Sequence, residues 1–169
     1  MTLRIVLLRG KPTAGKSTAF HNLLSDKRMD NWVFIDHPGI KNIFHEFENE
    51  TKKRFGKHTL FYAIKQLLPL KKDIILEEMS RETLMSNLGK EIKKYKYKII
   101  VFQFEISFKT ALKRDIERSN EGKHPFMGKL HMKKMHQMHK EKLDKKAIIV
   151  NCDKLNEKQV VDFIVKKLR

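Results

Sequence analysis

The sequence predicts an α/β protein with a mainly parallel sheet covered by helices on both faces. Five short apolar runs recur along the chain, and stretches with helical periodicity separate them. Runs of this length, apolar throughout rather than alternating, suit strands buried on both faces. A chain of 169 residues is about one domain's worth.

The elements follow in order. Residues 3–9 (LRIVLLR) form a buried strand stopped by Gly10. Residues 16–25 form a helix with Ala19, Phe20, Leu23 and Leu24 on one side. Residues 32–36 (WVFID) give a second strand. Ile40, Ile43, Phe44 and Phe47 then recur at the period of an amphipathic helix. So do Leu60, Phe61, Ile64, Leu67 and Leu68, with Pro69 marking the end. Residues 73–78 (DIILEE) give the third strand, and Leu84, Leu88 and Ile92 line a helix. Residues 97–104 are the fourth strand and 107–119 a helix. Residues 120–128, with two glycines and a proline, are a loop. A basic helix over 129–145, a strand over 147–151 and a last helix carrying Val160, Val161, Ile164 and Leu168 complete the chain.

Composition narrows the class. Apolar residues make up 40% of the chain, enough for a core, which argues against disorder despite 34% charged residues. The one cysteine, Cys152, excludes an intramolecular disulfide framework and fits a reducing compartment. No run approaches the roughly 18 apolar residues of a membrane span. The apolar stretch at residues 5–8 is too short for a signal-peptide core. The expectation is a soluble, cytoplasmic protein with no membrane partner. The net charge of +17 favours polyanionic partners such as RNA or DNA. Lysine outnumbers arginine 29 to 8, however, and a lysine excess is often composition expressed on a solvated surface.

The most specific signal is Gly10-Lys11-Pro12-Thr13-Ala14-Gly15-Lys16-Ser17, a complete G-x-x-x-x-G-K-S phosphate loop. Gly10 and Gly15 let the backbone turn tightly and approach an anion. The loop N–H groups form a nest for phosphate oxygens, and the following helix adds its positive dipole end. Lys16 reaches the β- and γ-phosphates, and the Ser17 hydroxyl is placed for Mg²⁺. Thr18 supports the first helical turn. Pro12 removes one donor from the nest. The bland alternative is a chance match in a glycine-containing turn. A strand before the motif and an apolar-faced helix after it oppose that reading.

A phosphate loop does not separate kinases from other nucleotide hydrolases. The chain has little room for helicase motifs. Asn151-Cys152-Asp153-Lys154 is not the N-K-x-D guanine reader of GTPases. From first strand to last helix, the chain resembles the small P-loop kinases, the broad group that includes adenylate kinase, polynucleotide 5′-hydroxyl kinase, chloramphenicol phosphotransferase and the zeta toxins. The resemblance implies a three-layer sandwich with a five-stranded parallel sheet ordered 2-3-1-4-5. It also implies one kinase domain over residues 1–169, with a lid-like segment at about 114–128, using ATP and Mg²⁺.

In that group the second strand ends in an acid that takes the proton of an acceptor hydroxyl, and here that residue is Asp36. A carboxylate at the carboxyl edge of an open sheet is well placed for such work. The alternative is that Asp36 simply caps the helix after His37-Pro38. The second acid that zeta toxins and phage polynucleotide kinase often carry nearby is replaced by Pro38 and Gly39, while Lys41 keeps a basic, substrate-binding position. Glu77-Glu78 followed by Met79-Ser80-Arg81 looks like the E-x-x-x-R phrase of zeta toxins. Glu77 or Glu78 would hold Mg²⁺ through water, and Arg81 would bind an acceptor phosphate or the transferring group. Ordinary helix-start chemistry from Ser80 and Glu82 also accounts for this segment. Arg114 and Arg118, one turn apart, occupy the place where the small kinases begin a lid and turn arginines toward the phosphates. The alternative there is an exposed face with Arg114–Glu117 and Asp115–Arg118 pairs.

Residues 123–146 hold eight lysines, two acids and His124, His131, His136 and His139. The spacing of His136 and His139 is weak evidence for a metal. The methionines there suit packing, and the lysines are either a solvated face or a polyanion track. Phe126 is the one aromatic nearby for base stacking. The expected activity is γ-phosphoryl transfer from ATP to a hydroxyl, with a polynucleotide 5′-hydroxyl or a nucleotide-type substrate as acceptor. The alternatives are a small-molecule or nucleotide-sugar kinase of the zeta-toxin type, and an ATP-dependent nucleic-acid-binding module that transfers nothing.

Overall fold

The first strand, β1 (Arg4–Gly10), buries Ile5, Val6, Leu7 and Leu8 completely, as an interior strand must. A computed structural model of the chain describes residues 2–77, 79–122, 125–141 and 144–169. After β1 come α1 (Lys16–Leu24), β2 (Val33–Ile35), α2 (His37–Asn42), α3 (Asn49–Leu67), β3 (Ile74–Glu77) and α4 (Arg81–Lys94). Then follow β4 (Lys98–Glu105), α5 (Phe108–Asn120), α6 (Lys129–Glu141), β5 (Ile148–Asn151) and α7 (Glu157–Leu168). The five strands form one parallel sheet in the order β2-β3-β1-β4-β5, with helices on both sides.

Contacts group the chain into two compact units. The first comprises the residues up to Leu8 together with Met29–Val101. In it, β3 pairs with β2 through Ile35↔Leu76 and with β1 through Leu8↔Glu77. The Arg4 guanidinium pairs with Asp73 and lies over the Trp32 ring, 4.6 Å from its centroid. The buried Tyr97 hydroxyl donates to the Lys72 carbonyl oxygen at 2.8 Å. Helix α2 lies on α3 where Gly56 has no side chain, since a Cβ there would fall 2.6 Å from the Lys41 side chain.

The second unit comprises Arg9–Arg28 and Phe102–Arg169. Here β4 pairs with β5 from Phe102↔Ile148 to Glu105↔Asn151. Helix α7 starts with a capping box between Asn156 and Gln159, and packs its buried Val161, Ile164 and Val165 in the unit's core, where it meets α1.

Three sequence expectations are revised. Leu24 is 54% exposed, because the buried face of α1 consists of Ala19, Phe20 and Leu23. The amphipathic helix expected through Phe47 stops at Asn42. Tight turns follow, Phe44 N–H to the Lys41 carbonyl and Phe47 N–H to the Phe44 carbonyl, and they lay both rings on Phe55 rather than along a helix. Helix α3 starts earlier than its apolar periodicity suggests, at Asn49, because its first two turns are polar. Glu78, Lys123 and His124, and Lys142 and Leu143 of the expected basic helix, lie outside the described residues. Among the described residues no helix is long and apolar enough to cross a membrane.

Candidate functional site

The turn between β1 and α1 has the conformation its residues require. Gly10 (φ 151°), Thr13 (φ 57°) and Gly15 (φ 86°) all have positive φ. Glycine accommodates this at the first and last positions, whereas Thr13 needs help. Its hydroxyl donates to the Ala111 carbonyl at 3.1 Å, and its own carbonyl accepts from Arg114 Nη1 at 3.3 Å. Gly10 also meets a steric demand. A Cβ there would lie 2.3 Å from the Phe104 carbonyl oxygen, the same oxygen that accepts from the Lys11 N–H.

Helix α1 begins at Lys16, with neither a side-chain cap nor an acid in its first turn. Its first N–H groups thus keep the positive end of the helix dipole for an incoming anion. Lys16 folds back over the loop, its Nζ donating to the Lys11 carbonyl oxygen at 3.1 Å. Ser17 and Thr18 are exposed on the first turn, Ala14 is buried, and Lys11 and Pro12 are half-buried. Lys11 pairs with Glu105 at the end of β4, at 2.5 Å. Neither Glu105 nor this pair was anticipated from sequence. A basic second position in the loop and an acid ending a strand were the only available signals.

Arg114 is half-buried and tied down rather than extended. Besides Thr13 it donates through Nη2 to the Cys152 carbonyl oxygen at 3.1 Å. It therefore joins the phosphate loop to the segment after β5. That segment is held a second time, because Asp153 accepts from the Ser107 N–H at 2.7 Å, and Ser107 caps α5. Arg118 is exposed one turn further along α5. The alternative ion pairs give way to others: Glu117 lies 3.8 Å from Lys113, and Asp115 is buried. Asp115 accepts from the Met127 N–H at 3.1 Å and the Gly128 N–H at 3.4 Å, so it fastens the far end of the loop to α5. In the sequence Asp115 figures only in the alternative reading, as a surface partner of Arg118, and its burial reveals this role.

In the first unit, the parallel register sets the ends of β2 and β3 side by side, with Asp36 following Ile35 and Glu77 opposite Leu8. Asp36 caps α2, its Oδ1 accepting from the Gly39 N–H at 2.9 Å. Gly39 is required for this approach, since a Cβ there would sit 2.5 Å from Oδ2. Glu77 is only 2% exposed. Ser80 caps α4 and Arg81 Nη1 donates to the Ile99 carbonyl at 3.3 Å. Lys41 lies on α2 against Gly56 of α3. Helix-cap chemistry is thus present at both Asp36 and Ser80, as the plainer readings required.

Around the loop, burial sets two protonation states. Burial pushes the Cys152 thiol up to about 11, with Arg114 opposing the shift. Burial also holds His136 of α6 below its ordinary value, and the Lys11 charge acts in the same direction. The described residues hold no cluster of three or more histidine, cysteine or carboxylate side chains suited to a metal. Mg²⁺ bound with nucleotide needs no such cluster, because phosphates and water supply most of its ligands. An exposed serine in the first turn of an uncapped helix matches that limited protein share.

The fold is that of the P-loop kinases. Kti12 from Chaetomium thermophilum, solved in complex with ADP–AlF3, superposes with a TM-score of 0.65 at 15% identity, over 98% of this chain and 99% of that one. A gluconokinase from Sinorhizobium meliloti 1021 gives 0.61 at 12% identity, over 99% and 94%. A chain of the Pnkp1/Rnl/Hen1 RNA repair complex gives 0.64 at 20% identity, over 86% of this chain and 47% of that one. No family model and no curated protein matches the sequence.

Proposed function

We propose that this chain is a kinase that uses ATP and Mg²⁺ to phosphorylate a hydroxyl group, with a polynucleotide 5′-hydroxyl or nucleotide-type acceptor. The observation that carries the proposal is the turn at residues 10–17, with three positive-φ residues and an uncapped helix behind it. Lys16 Nζ donates to the Lys11 carbonyl oxygen of the loop, and an ammonium group makes strong charge-assisted hydrogen bonds to phosphate oxygens. The nucleotide contacts are assigned to Gly10, Lys11, Pro12, Thr13, Ala14, Gly15, Lys16, Ser17 and Thr18. Ser17 and, through water, Glu77 are the proposed protein ligands of Mg²⁺, which neutralises charge on the β- and γ-phosphates.

In the proposed reaction the acceptor oxygen attacks the γ-phosphorus and the bond to the β-phosphate oxygen breaks, releasing ADP. The hydroxyl proton passes to Asp36, and Arg114 and Arg118, in the lid-like segment at about 114–128, neutralise charge on the transferring group. Lys41 and Arg81 are assigned to the acceptor. The likeness to a chain of an RNA repair complex supports a nucleic-acid acceptor at the level of fold only. A free, buried Cys152 suits the proposed cytoplasmic setting.

The test offers γ-labelled ATP with 5′-hydroxyl oligonucleotides, nucleosides and a panel of small alcohols. Labelled oligonucleotide, absent with Lys16→Ala, is the expected result. Label on a sugar or small alcohol instead would replace the acceptor and keep the kinase. Nucleotide and oligonucleotide binding with no product would leave a binding module.

A further inference from the structure

The end of β4 and the residue after it hold Lys11 of the phosphate loop at both its backbone and its side chain. The Lys11 N–H donates to the Phe104 carbonyl oxygen at 3.3 Å. Its ammonium group pairs with Glu105 Oε2 at 2.5 Å and donates to the Ile106 carbonyl oxygen at 3.4 Å. The other carboxylate oxygen, Glu105 Oε1, accepts from Gln103 Nε2 at 3.0 Å. Both oxygens of Glu105 are thus engaged, one by the loop and one by its own strand. The Lys11 carbonyl oxygen in turn accepts from the Ala14 N–H at 3.4 Å and from Lys16 Nζ at 3.1 Å.

Gln103 sets this arrangement apart from an ordinary surface ion pair. It is fully buried, as are its neighbours Phe102 and Phe104. Its Oε1 has no hydrogen-bond partner among the described residues. An amide in such a place bears a desolvation cost that an apolar side chain avoids. Only its donor end is used, and an ionised carboxylate can only accept, so the one bond the amide makes is the one that orients Glu105. We propose that Glu105 is a positioning residue of the nucleotide site: oriented by Gln103, it fixes Lys11, and with it the carbonyl oxygen on which Lys16 is aligned. The proposal rests on the reading of residues 10–17 as a nucleotide site. Charge alone predicts the opposite sign. Glu105 is an anion beside an anion-binding loop, so neutralising it strengthens the attraction for phosphate. Positioning predicts weaker binding, because Lys11 and then Lys16 lose their setting.

The test compares Mg-ATP affinity, by calorimetry on the whole chain, with AMP affinity, by displacement of a fluorescent ATP analogue. Glu105→Gln keeps the side chain's size and removes its charge. It is expected to bind Mg-ATP about tenfold more weakly, the scale of one charge-assisted hydrogen bond. AMP should stay within about twofold, because Lys16 reaches only the β- and γ-phosphates. Gln103→Leu leaves both charges in place and removes only the orienting donor. It should give a smaller loss, about threefold, with the same contrast between ATP and AMP. Lys11→Met weakens Mg-ATP too, and the double variant Lys11→Met/Glu105→Gln should bind no more weakly than the weaker single, since the two act through one contact. Unchanged or tighter Mg-ATP binding in Glu105→Gln overturns the proposal. So does an equal loss for ATP and AMP, which marks a looser fold, and so do additive losses in the double variant. Wild type that binds no Mg-ATP overturns the nucleotide reading and this one with it, whereas wild-type binding that Glu105→Gln leaves intact overturns this one alone.

Discussion

Arg114 donates to the carbonyl of Thr13, the one non-glycine residue in the phosphate loop with positive φ. A side chain 101 residues away in sequence thus steadies the backbone conformation on which the anion nest depends. Arg114→Ala leaves the Thr13 and Cys152 carbonyls without this donor. The expected cost is about 1.5–3 kcal/mol for hydrogen bonds to a charged group. Calorimetry should show Mg-ATP affinity falling by tenfold or more. Arg114→Lys should recover only part of it, because one ammonium lacks the forked geometry that spans two carbonyls.

Gly10→Ala should fail for a different reason. The new methyl group would collide with the backbone of Phe104, which cannot rotate away as a side chain can. A loss of about 3 kcal/mol is expected, lowering the melting temperature by about 6–12 °C for a chain of this size. Gly15→Ala meets nothing within 4 Å and bears only the strain of its φ. It should cost about 1 kcal/mol, so differential scanning calorimetry should rank the two clearly.

Asp36 caps α2, and that complicates any test of its role as a base. Asparagine caps as well as aspartate, whereas alanine does not. Asp36→Asn should hold the melting temperature and lose most phosphoryl transfer. Asp36→Ala should lose transfer and about 1 kcal/mol of stability besides. Equal turnover in Asp36→Asn and wild type would reduce the residue to its cap.

His136 gives the protein a source of acid sensitivity. Its Nε2 is buried without a hydrogen-bond partner among the described residues, and its ring meets Phe108 edge-on. Burial and the Lys11 charge hold its pKa below 6.5, while Glu105 pulls weakly the other way. The unfolded chain therefore takes up a proton near pH 6.5 that the folded chain refuses. Above that pH the residue is neutral in both states and contributes nothing to the balance. As pH falls through 6.5, stability is lost. Thermal melts at pH 7.5 and 5.5 should show a gap that His136→Leu narrows.

The sheet and the phosphate loop were legible because short-range signals specify them. Residues 5–8, a short apolar run stopped by Gly10, read as an interior strand, and G-x-x-x-x-G-K-S dictates its own backbone. The surroundings were less legible because they depend on distant partners. Nothing near Arg114 in sequence points to Thr13 or Cys152. Asp115 reads as a surface acid until its backbone partners at 127 and 128 are placed. The spacing of Ile40, Ile43, Phe44 and Phe47 is truly helical, yet the approach of α2 to α3 over Gly56, and the pull of Phe44 and Phe47 toward the Phe55 ring, end the helix at Asn42. At Asp36 both readings came from local chemistry, and the cap is the one the backbone displays.

The chain's one tryptophan lies beneath the same guanidinium that clamps Asp73. Its emission is therefore a built-in gauge of whether the amino ends of β1 and β3 remain fastened. That signal comes from only one of the two compact units. Comparing the denaturation curve at this wavelength with one followed by circular dichroism measures whether the chain melts in a single step.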